Sequence, residues 1–391
     1  MKIKYAKLPP APAKYPRESR LSFLIKNKGP FDEEQASRTC TRCGACLQKC
    51  PSFRALKSEI YSPRGRAQLL RFFFEKKLTA KQDRKDMLNS VRSCFMCGSC
   101  TAFCPPKTPV PDLMFSFGNA LGGPSKTKGS SLIRFFYIAA AKLKIKNALK
   151  KQKDADKKII FAPSFYASSQ IKNILDILNS SGFKAEAVFS AMNLERSYFS
   201  ADIKKIKKAL SALLKTAQNS PDTPIVTDGW EAYAILKKAS LFGQDFAPLE
   251  SRVKFLAEYM RPVKKFNGNI PFKKIIVCQS DIAAHAELFT EQIRKLLICP
   301  KKLFLIECIQ SKDLPPAAAA HWVKIKGEDA VKRQSAQNLC DIGADCIIVC
   351  SHADKKLFKN LTKRQNPRPV VLHISQIAEV FYAKDWSSNA D

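Results

Sequence analysis

Acidic residues, glycine and histidine are all scarce in this chain, and each shortage closes a line of explanation. Thirty-four Asp and Glu face 67 Lys and Arg, leaving a formal charge of +33 over 391 residues. None of the 14 glycines forms a G-x-G pair, so the dinucleotide fingerprint is missing and a flavin or nicotinamide must sit on another polypeptide. The four histidines all lie at or beyond His285, which strips any N-terminal zinc site of imidazole ligands. No run of about 18 apolar residues occurs, so no segment reads as a membrane span. Met1 to Phe23 carries basic residues without an apolar stretch, and its Pro9, Pro10, Pro12 and Pro16 suit an extended arm rather than a secretory leader. The expectation is a cytoplasmic protein, with peripheral attachment to the inner face of the membrane as the open alternative.

Against those absences stand 14 cysteines, which in a reducing compartment point to metal ligation or free thiols rather than disulfides. The positive excess admits an acidic protein, an anionic membrane face or nucleic acid as partner. Nucleic acid ranks last, because the charge is mostly lysine spread along the chain instead of arginine gathered on one face. A lysine-rich surface with no dedicated partner carries equal weight. An apolar fraction of 45% supports real cores, and the length exceeds what one core usually serves.

The first eight cysteines precede residue 105, and none follows until Cys278. Between them, Lys142 to Lys158 is a lysine-rich run that reads as a helix end and linker. Beyond it, apolar runs alternate with amphipathic stretches: 158–163, a helix over 168–179, Gly182 as its stop, 184–189, a helix over 201–216, then 224–228. The order recurs as 275–280, a helix over 282–297, 302–308, a helix over 328–342, and 346–351. Setting Ile160 against Ile276 and Thr227 against Val349 gives an internal repeat of roughly 115 to 120 residues. The predicted fold class is α+β and multidomain, an all-helical ferredoxin-type domain followed by two tandem α/β repeats with parallel sheets. The expected divisions are an extended arm over 1–30, the helical domain over 31–125, a basic amphipathic helix and linker over 126–157, and repeats over 158–265 and 266–391.

The chemistry lies in two copies of C-x2-C-x2-C-x3-C-P: Cys40, Cys43, Cys46, Cys50 with Pro51, and Cys94, Cys97, Cys100, Cys104 with Pro105. A thiolate every third residue wraps three corners of an iron–sulfur cubane, and the small pairs Gly44-Ala45 and Gly98-Ser99 let backbone N–H groups approach the sulfides. In paired sites of this type the fourth cysteine ligates the other cluster. The expected cofactors are two 4Fe–4S clusters, one held by Cys40, Cys43, Cys46 and Cys104, the other by Cys94, Cys97, Cys100 and Cys50. Zinc prefers paired ligands, often with histidine, and fits this pattern poorly. The long stretch between Cys50 and Cys94 reads as helical, with Ser62 as N-cap, Pro63 at the first position, and Leu69, Leu70, Phe73 and Phe74 as an apolar face. Arg64 and Arg66 on that helix read first as solvated charges and second as stabilisers of a reduced cluster.

The doubled motif, the Ser-Pro-Arg-Gly-Arg at 62–66 and the order of domains resemble the iron–sulfur subunit of bacterial glycolate oxidase, and more broadly heterodisulfide-reductase-related iron–sulfur proteins. The resemblance implies an electron-transfer subunit with no catalytic residues or substrate site of its own. It would relay single electrons from a flavin-containing 2-hydroxy-acid dehydrogenase of the glycolate or lactate type to quinone or another acceptor. Members of that family often carry a Cys-Cys-Gly and a later Cys-x-x-Cys in each α/β repeat. Here Ser164, Gly229 and Ala232 stand at those places in the first repeat, and Cys308 is followed by Ile309 in the second. Cys278, Cys308 and Cys350 nevertheless fall at predicted strand ends, where parallel α/β folds place ligands. A third metal centre there would make the chain a heterodisulfide-reductase-like catalytic subunit. The plainer reading makes them small buried hydrophobes on strands, with Cys299, Cys340 and Cys346. Finally, 131–151 sets Leu132, Phe135, Phe136, Ala139, Leu143 and Ala148 along one side and lysines toward its end, which suits either an anionic bilayer or packing on the helical domain.

Overall fold

The computed structural model describes residues 32–78, 81–122, 131–152, 154–260, 272–278, 304–307, 325, 327–350, 352–363 and 368–377. The arm over 1–30, the helix expected over 282–297, Cys299 and Cys308 lie outside these residues.

The first part is helical: α1 (Glu33–Arg38), α2 (Pro51–Leu56), α3 (Pro63–Phe74), α4 (Lys81–Arg92), the single turn α5 (Ser99–Ala102) and α6 (Val110–Gly122). At the start of α3 the Ser62 hydroxyl accepts the Gly65 N–H at 2.9 Å and Pro63 takes the first position, a cap of about 1 kcal/mol. Gly65 is dictated by space, since a Cβ there would fall 2.0 Å from the Glu59 carbonyl oxygen. The buried face of α3 is Pro63, Arg66, Ala67 and Leu70, so the stripe expected from the apolar residues is rotated. Leu69, Phe73 and Phe74 are only half-buried, although Phe73 and Phe74 meet the Phe117 ring edge-on at 5.3 and 5.6 Å. Leu70, Met87, Leu113, Met114 and Phe117 form the centre of this domain.

α7 (Ser131–Leu149) leads into the first sheet. Its inner face, around Ala141 and Ile145, is buried in the α/β core, while Leu132, Ile133, Phe135, Phe136 and Leu143 are 61–73% exposed. Four strands follow with their helices: β1 (Lys157–Phe161), α8 (Ile171–Ser180), β2 (Phe183–Ala187), α9 (Leu194–Phe199), α10 (Ile203–Gln218), β3 (Ile225–Thr227), α11 (Trp230–Leu236), α12 (Ala247–Arg252) and β4 (Val253–Phe255). The second unit contains β5 (Lys274–Cys278), β6 (Phe304–Glu307), α13 (Glu328–Ile342), β7 (Cys346–Val349), α14 (His352–Leu361) and β8 (Val370–His373).

Both sheets are parallel and share one order, β2-β1-β3-β4 and β6-β5-β7-β8. Central strands covered on both faces must be apolar throughout, and Ile159, Ile160 and Phe161 are accordingly buried, each stabilising the fold by about 1.5–3 kcal/mol. Ile159, Phe161 and Val226 of the first sheet share one core with Ile275, Ile348 and Leu372 of the second. The helical domain docks on the first unit: Phe115 stacks on Tyr198 with centroids 5.1 Å apart, and Lys238 Nζ reaches Asp112 Oδ2 at 3.0 Å.

Candidate metal centre

Each cysteine motif is wound by the same backbone device. Arg42 and Gly44 take positive φ (60° and 83°), and so do Met96 and Gly98 (51° and 80°), at matching places in the two copies. Left-handed residues flanking the second cysteine bend the chain back so that successive thiols turn toward a common side. The Ala45 N–H bonds to the Cys43 thiol, the Arg64 N–H to Cys46, and the Met96 N–H to Cys94 at 3.4 Å.

The two sets differ in surroundings. Cys43 is exposed, and the Ala45 N–H and the Thr41 side chain lower its thiol pKa. Burial raises Cys46 to about 11, with Cys40 and Cys50 adding repulsion. In the second motif Phe95 and Met96 are buried in the core shared with the first α/β unit. Burial raises the thiol pKa of Cys94 and, further, that of Cys100. Cys50, from the first motif, adds its charge to Cys94 and Cys100 as well as to Cys46, so it lies near both sets. Cys104, in turn, donates to the Thr108 hydroxyl at 3.5 Å, and Thr108 is hydrogen-bonded at 2.9 Å to Thr39, the neighbour of Cys40.

Arg66 corrects the sequence reading. Far from being solvated, it is 2% exposed, with Nε donating to the Ser90 carbonyl at 3.2 Å and Nη2 to the Ser93 hydroxyl at 2.8 Å. Its Nη1 lies 3.6 Å from Cys50 Sγ. Burial works against its charge, but the neighbouring Cys94 and Cys50 thiolates outweigh burial and raise its pKa. Arg64 does remain partly exposed, paired to Glu59 at 2.6 Å.

Among the described residues no three Cys, His, Asp or Glu side chains are close enough to grip a single metal ion. The Arg66 guanidinium donates, among the described residues, to a carbonyl, a hydroxyl and a thiol and to no carboxylate, a surrounding that suits a neighbouring group of net negative charge.

The sheet ends carry a different constellation, which the sequence did not flag. The Ser164 N–H and hydroxyl both donate to Asp228, each at 2.8 Å, joining the segments that follow β1 and β3. Glu195 and Glu231 are buried nearby, and burial pushes the Glu195 carboxyl well above the ordinary range, reinforced by Glu231 and Asp228. Cys350 follows β7, is buried, and its backbone carbonyl accepts the Trp230 N–H at 3.3 Å. Burial, then Asp354 and Glu231, push its thiol well up, so it stays protonated. Cys278 ends β5 and Cys346 begins β7, whereas Cys340 lies on the helix α13 and not on a strand.

Residues 36–108 match the family described as the 4Fe-4S dicluster domain. The glycolate oxidase iron-sulfur subunit of Escherichia coli (strain K12) is 30% identical over 84 residues, 21% of this chain and 19% of that protein. The match thus spans about a fifth of the relative's length. No solved structure matches. The N-terminal helical part is a 4Fe–4S-binding domain, and both matches support an iron–sulfur electron-transfer role.

Proposed function

We propose that this chain is the iron–sulfur electron-transfer subunit of an oxidoreductase complex, relaying single electrons through two 4Fe–4S clusters. The partner would be a flavin-containing 2-hydroxy-acid dehydrogenase of the glycolate or lactate type, and the acceptor quinone or another oxidant. The observation that supports the reading best is buried Arg66: its Nη1 lies 3.6 Å from Cys50 Sγ, and its charge, which burial opposes, is favoured by Cys94, Cys50 and Cys100, thiols drawn from both motifs. Cys94, Cys97, Cys100 and Cys50 would hold one cluster, and Cys40, Cys43, Cys46 and Cys104 the other.

When bound, such a cluster accepts and releases one electron at a time without proton chemistry of its own. The chain's residues then do the rest. The eight thiols would hold the clusters as thiolates, a form that burial disfavours for Cys100 and that bound iron would supply with a compensating charge. The turns at Gly44 and Gly98 direct backbone N–H groups inward, and Phe95 and Met96 exclude water on the side facing the α/β unit. Exposed Cys43 leaves the first set nearer the surface, where a partner can approach.

A membrane face accompanies this role. The outer side of α7 presents Leu132, Ile133, Phe135, Phe136 and Leu143, then Lys144, Lys146, Lys150 and Lys151, and 131–151 contains no acid. Apolar side chains continuous with an unopposed lysine stripe complement an anionic bilayer, the apolar turns entering the acyl boundary and the lysines remaining at the headgroups. Among the described residues no helix is long and apolar enough to cross a membrane.

Anaerobic purification tests the relay: about eight iron and eight sulfide per chain are expected, with two magnetically interacting centres on reduction. A folded, colourless, iron-free protein would end the proposal. A count well above eight would point instead to a further metal centre at the sheet ends.

A further inference from the structure

α3 carries two arginines two residues apart, and the fold treats them oppositely. Arg64 spends its charge on Glu59, which it meets with Nε at 2.6 Å and Nη2 at 3.3 Å, and it remains partly exposed. Arg66 is sealed in the interior. Its hydrogen-bond partners are the Ser90 carbonyl, the Ser93 hydroxyl and Cys50 Sγ, none of them a carboxylate. A guanidinium cannot shed its proton to escape burial, so its compensating charge must come from what it faces. It faces Cys50, with Cys94 and Cys100 near enough to act on it.

We infer that Arg66 is the fixed counter-charge of the thiolate cage formed by Cys94, Cys97, Cys100 and Cys50, and that it raises the reduction potential of the cluster held there. The inference rests on the two-cluster reading above. Reduction adds one negative charge to a site removed from water, and burial alone opposes that change. A buried cation beside the ligands favours it. The competing role for Arg66 is structural: it ties α3 to the turn after α4 through Ser90 and Ser93, and would then leave the potential untouched. Arg64 provides the internal control, because it is paired with Glu59 and lies beside Cys46 and Cys40 of the other set, so its removal should spare the centre that Arg66 faces.

The experiment uses the full-length protein, reconstituted anaerobically, as wild type, Arg66→Gln, Arg66→Lys and Arg64→Gln. Iron content and far-ultraviolet circular dichroism verify loading and fold, and a potentiometric titration followed by electron paramagnetic resonance gives the midpoint of each centre. Glutamine keeps a hydrogen-bonding amide without the charge; lysine keeps the charge without the fork. At the wild-type midpoint of the affected centre, Arg66→Gln is expected to lower the reduced-to-oxidised ratio at least tenfold, about 59 mV for a one-electron couple. Arg66→Lys should retain most of the wild-type value, and Arg64→Gln should change the ratio less than threefold. Loaded Arg66→Gln protein with an unmoved midpoint overturns the inference, as does Arg66→Lys shifting as far as Arg66→Gln. Should Arg66→Gln not load, Arg66→Met replaces it beside Arg66→Lys: an Arg66→Met midpoint at least tenfold below the Arg66→Lys one in reduced-to-oxidised ratio supports the charge, and equal midpoints reject it. Wild-type protein showing a single centre would instead remove the two-cluster reading.

Discussion

Nζ of Lys49 stands 4.0 Å from the centroid of the Phe103 ring, and the two side chains hold the same place in their motifs, each directly before the fourth cysteine. This cross-motif pair ties together the two segments that end in Cys50 and Cys104, as the proposed swap of fourth thiols requires. The swap has a direct test. Cys50→Ala should lose the centre anchored by Cys94, Cys97 and Cys100, so its residual resonance spectrum should coincide with that of Cys97→Ala. Coincidence with Cys43→Ala would show that each motif keeps its own fourth ligand.

Gly65 should tolerate no side chain. An added Cβ would stand 2.0 Å from the Glu59 carbonyl, which is backbone and cannot swing aside. Gly65→Ala must therefore displace the start of α3 and the Ser62 cap, with an expected loss of about 2–4 kcal/mol, toward the upper end of the range for single substitutions. Denaturant unfolding measures it; a loss under 0.5 kcal/mol would mean that the turn at Glu59 is softer than its packing implies.

The buried acids at the sheet ends should make stability depend on pH in the direction opposite to ordinary surface carboxylates. Burial raises the folded-state pKa of Glu195 far above its unfolded value near 4.5. Its stabilising contribution is complete below that value and is lost as pH rises toward the folded pKa, at up to about 1.4 kcal/mol per pH unit for one proton. Glu195→Gln cannot titrate. Relative to wild type it should gain in melting temperature between pH 5 and pH 7.5, the gain shrinking toward pH 4.5. A deficit of equal size at both ends would rule out a proton retained by Glu195.

For the proposed membrane face, the four lysines would contribute about 1 kcal/mol each, which alone reaches only millimolar affinity. Lasting attachment must then come from the aromatic turns. Phe135→Ser with Phe136→Ser should abolish cosedimentation with vesicles containing 30% phosphatidylglycerol, as should replacing the anionic lipid by phosphatidylcholine. Retention of the double variant on the anionic vesicles, or absence of wild-type binding, would reassign this face to a protein partner.

The sequence announces some of this plainly. Eight cysteines in two identical frames, Ser62 before Pro63, Gly182 at the end of α8, and the apolar runs that become β1, β3, β5 and β7 each have a local cause that spacing reveals. β4 and β8 escaped notice because three or four residues leave no periodicity, and both depend on neighbours for pairing. Arg66 misled because a charged residue reads as solvated by default. Only the fold shows that its side of α3 turns inward. The same default assigned the apolar side of α7 a choice of partners, whereas its inner packing in fact uses Ala141 and Ile145. The Ser164 and Asp228 pair joins residues distant in sequence and has no motif to betray it.

The core common to both sheets ties their histories together. Ile159 and Val226 rest in the same apolar mass as Ile348 and Leu372, so neither half has a finished inner wall without its twin. A first half that binds Ser164 to Asp228 at its strand ends is thus also a wall of the second half's core, and loosening either sheet should loosen both.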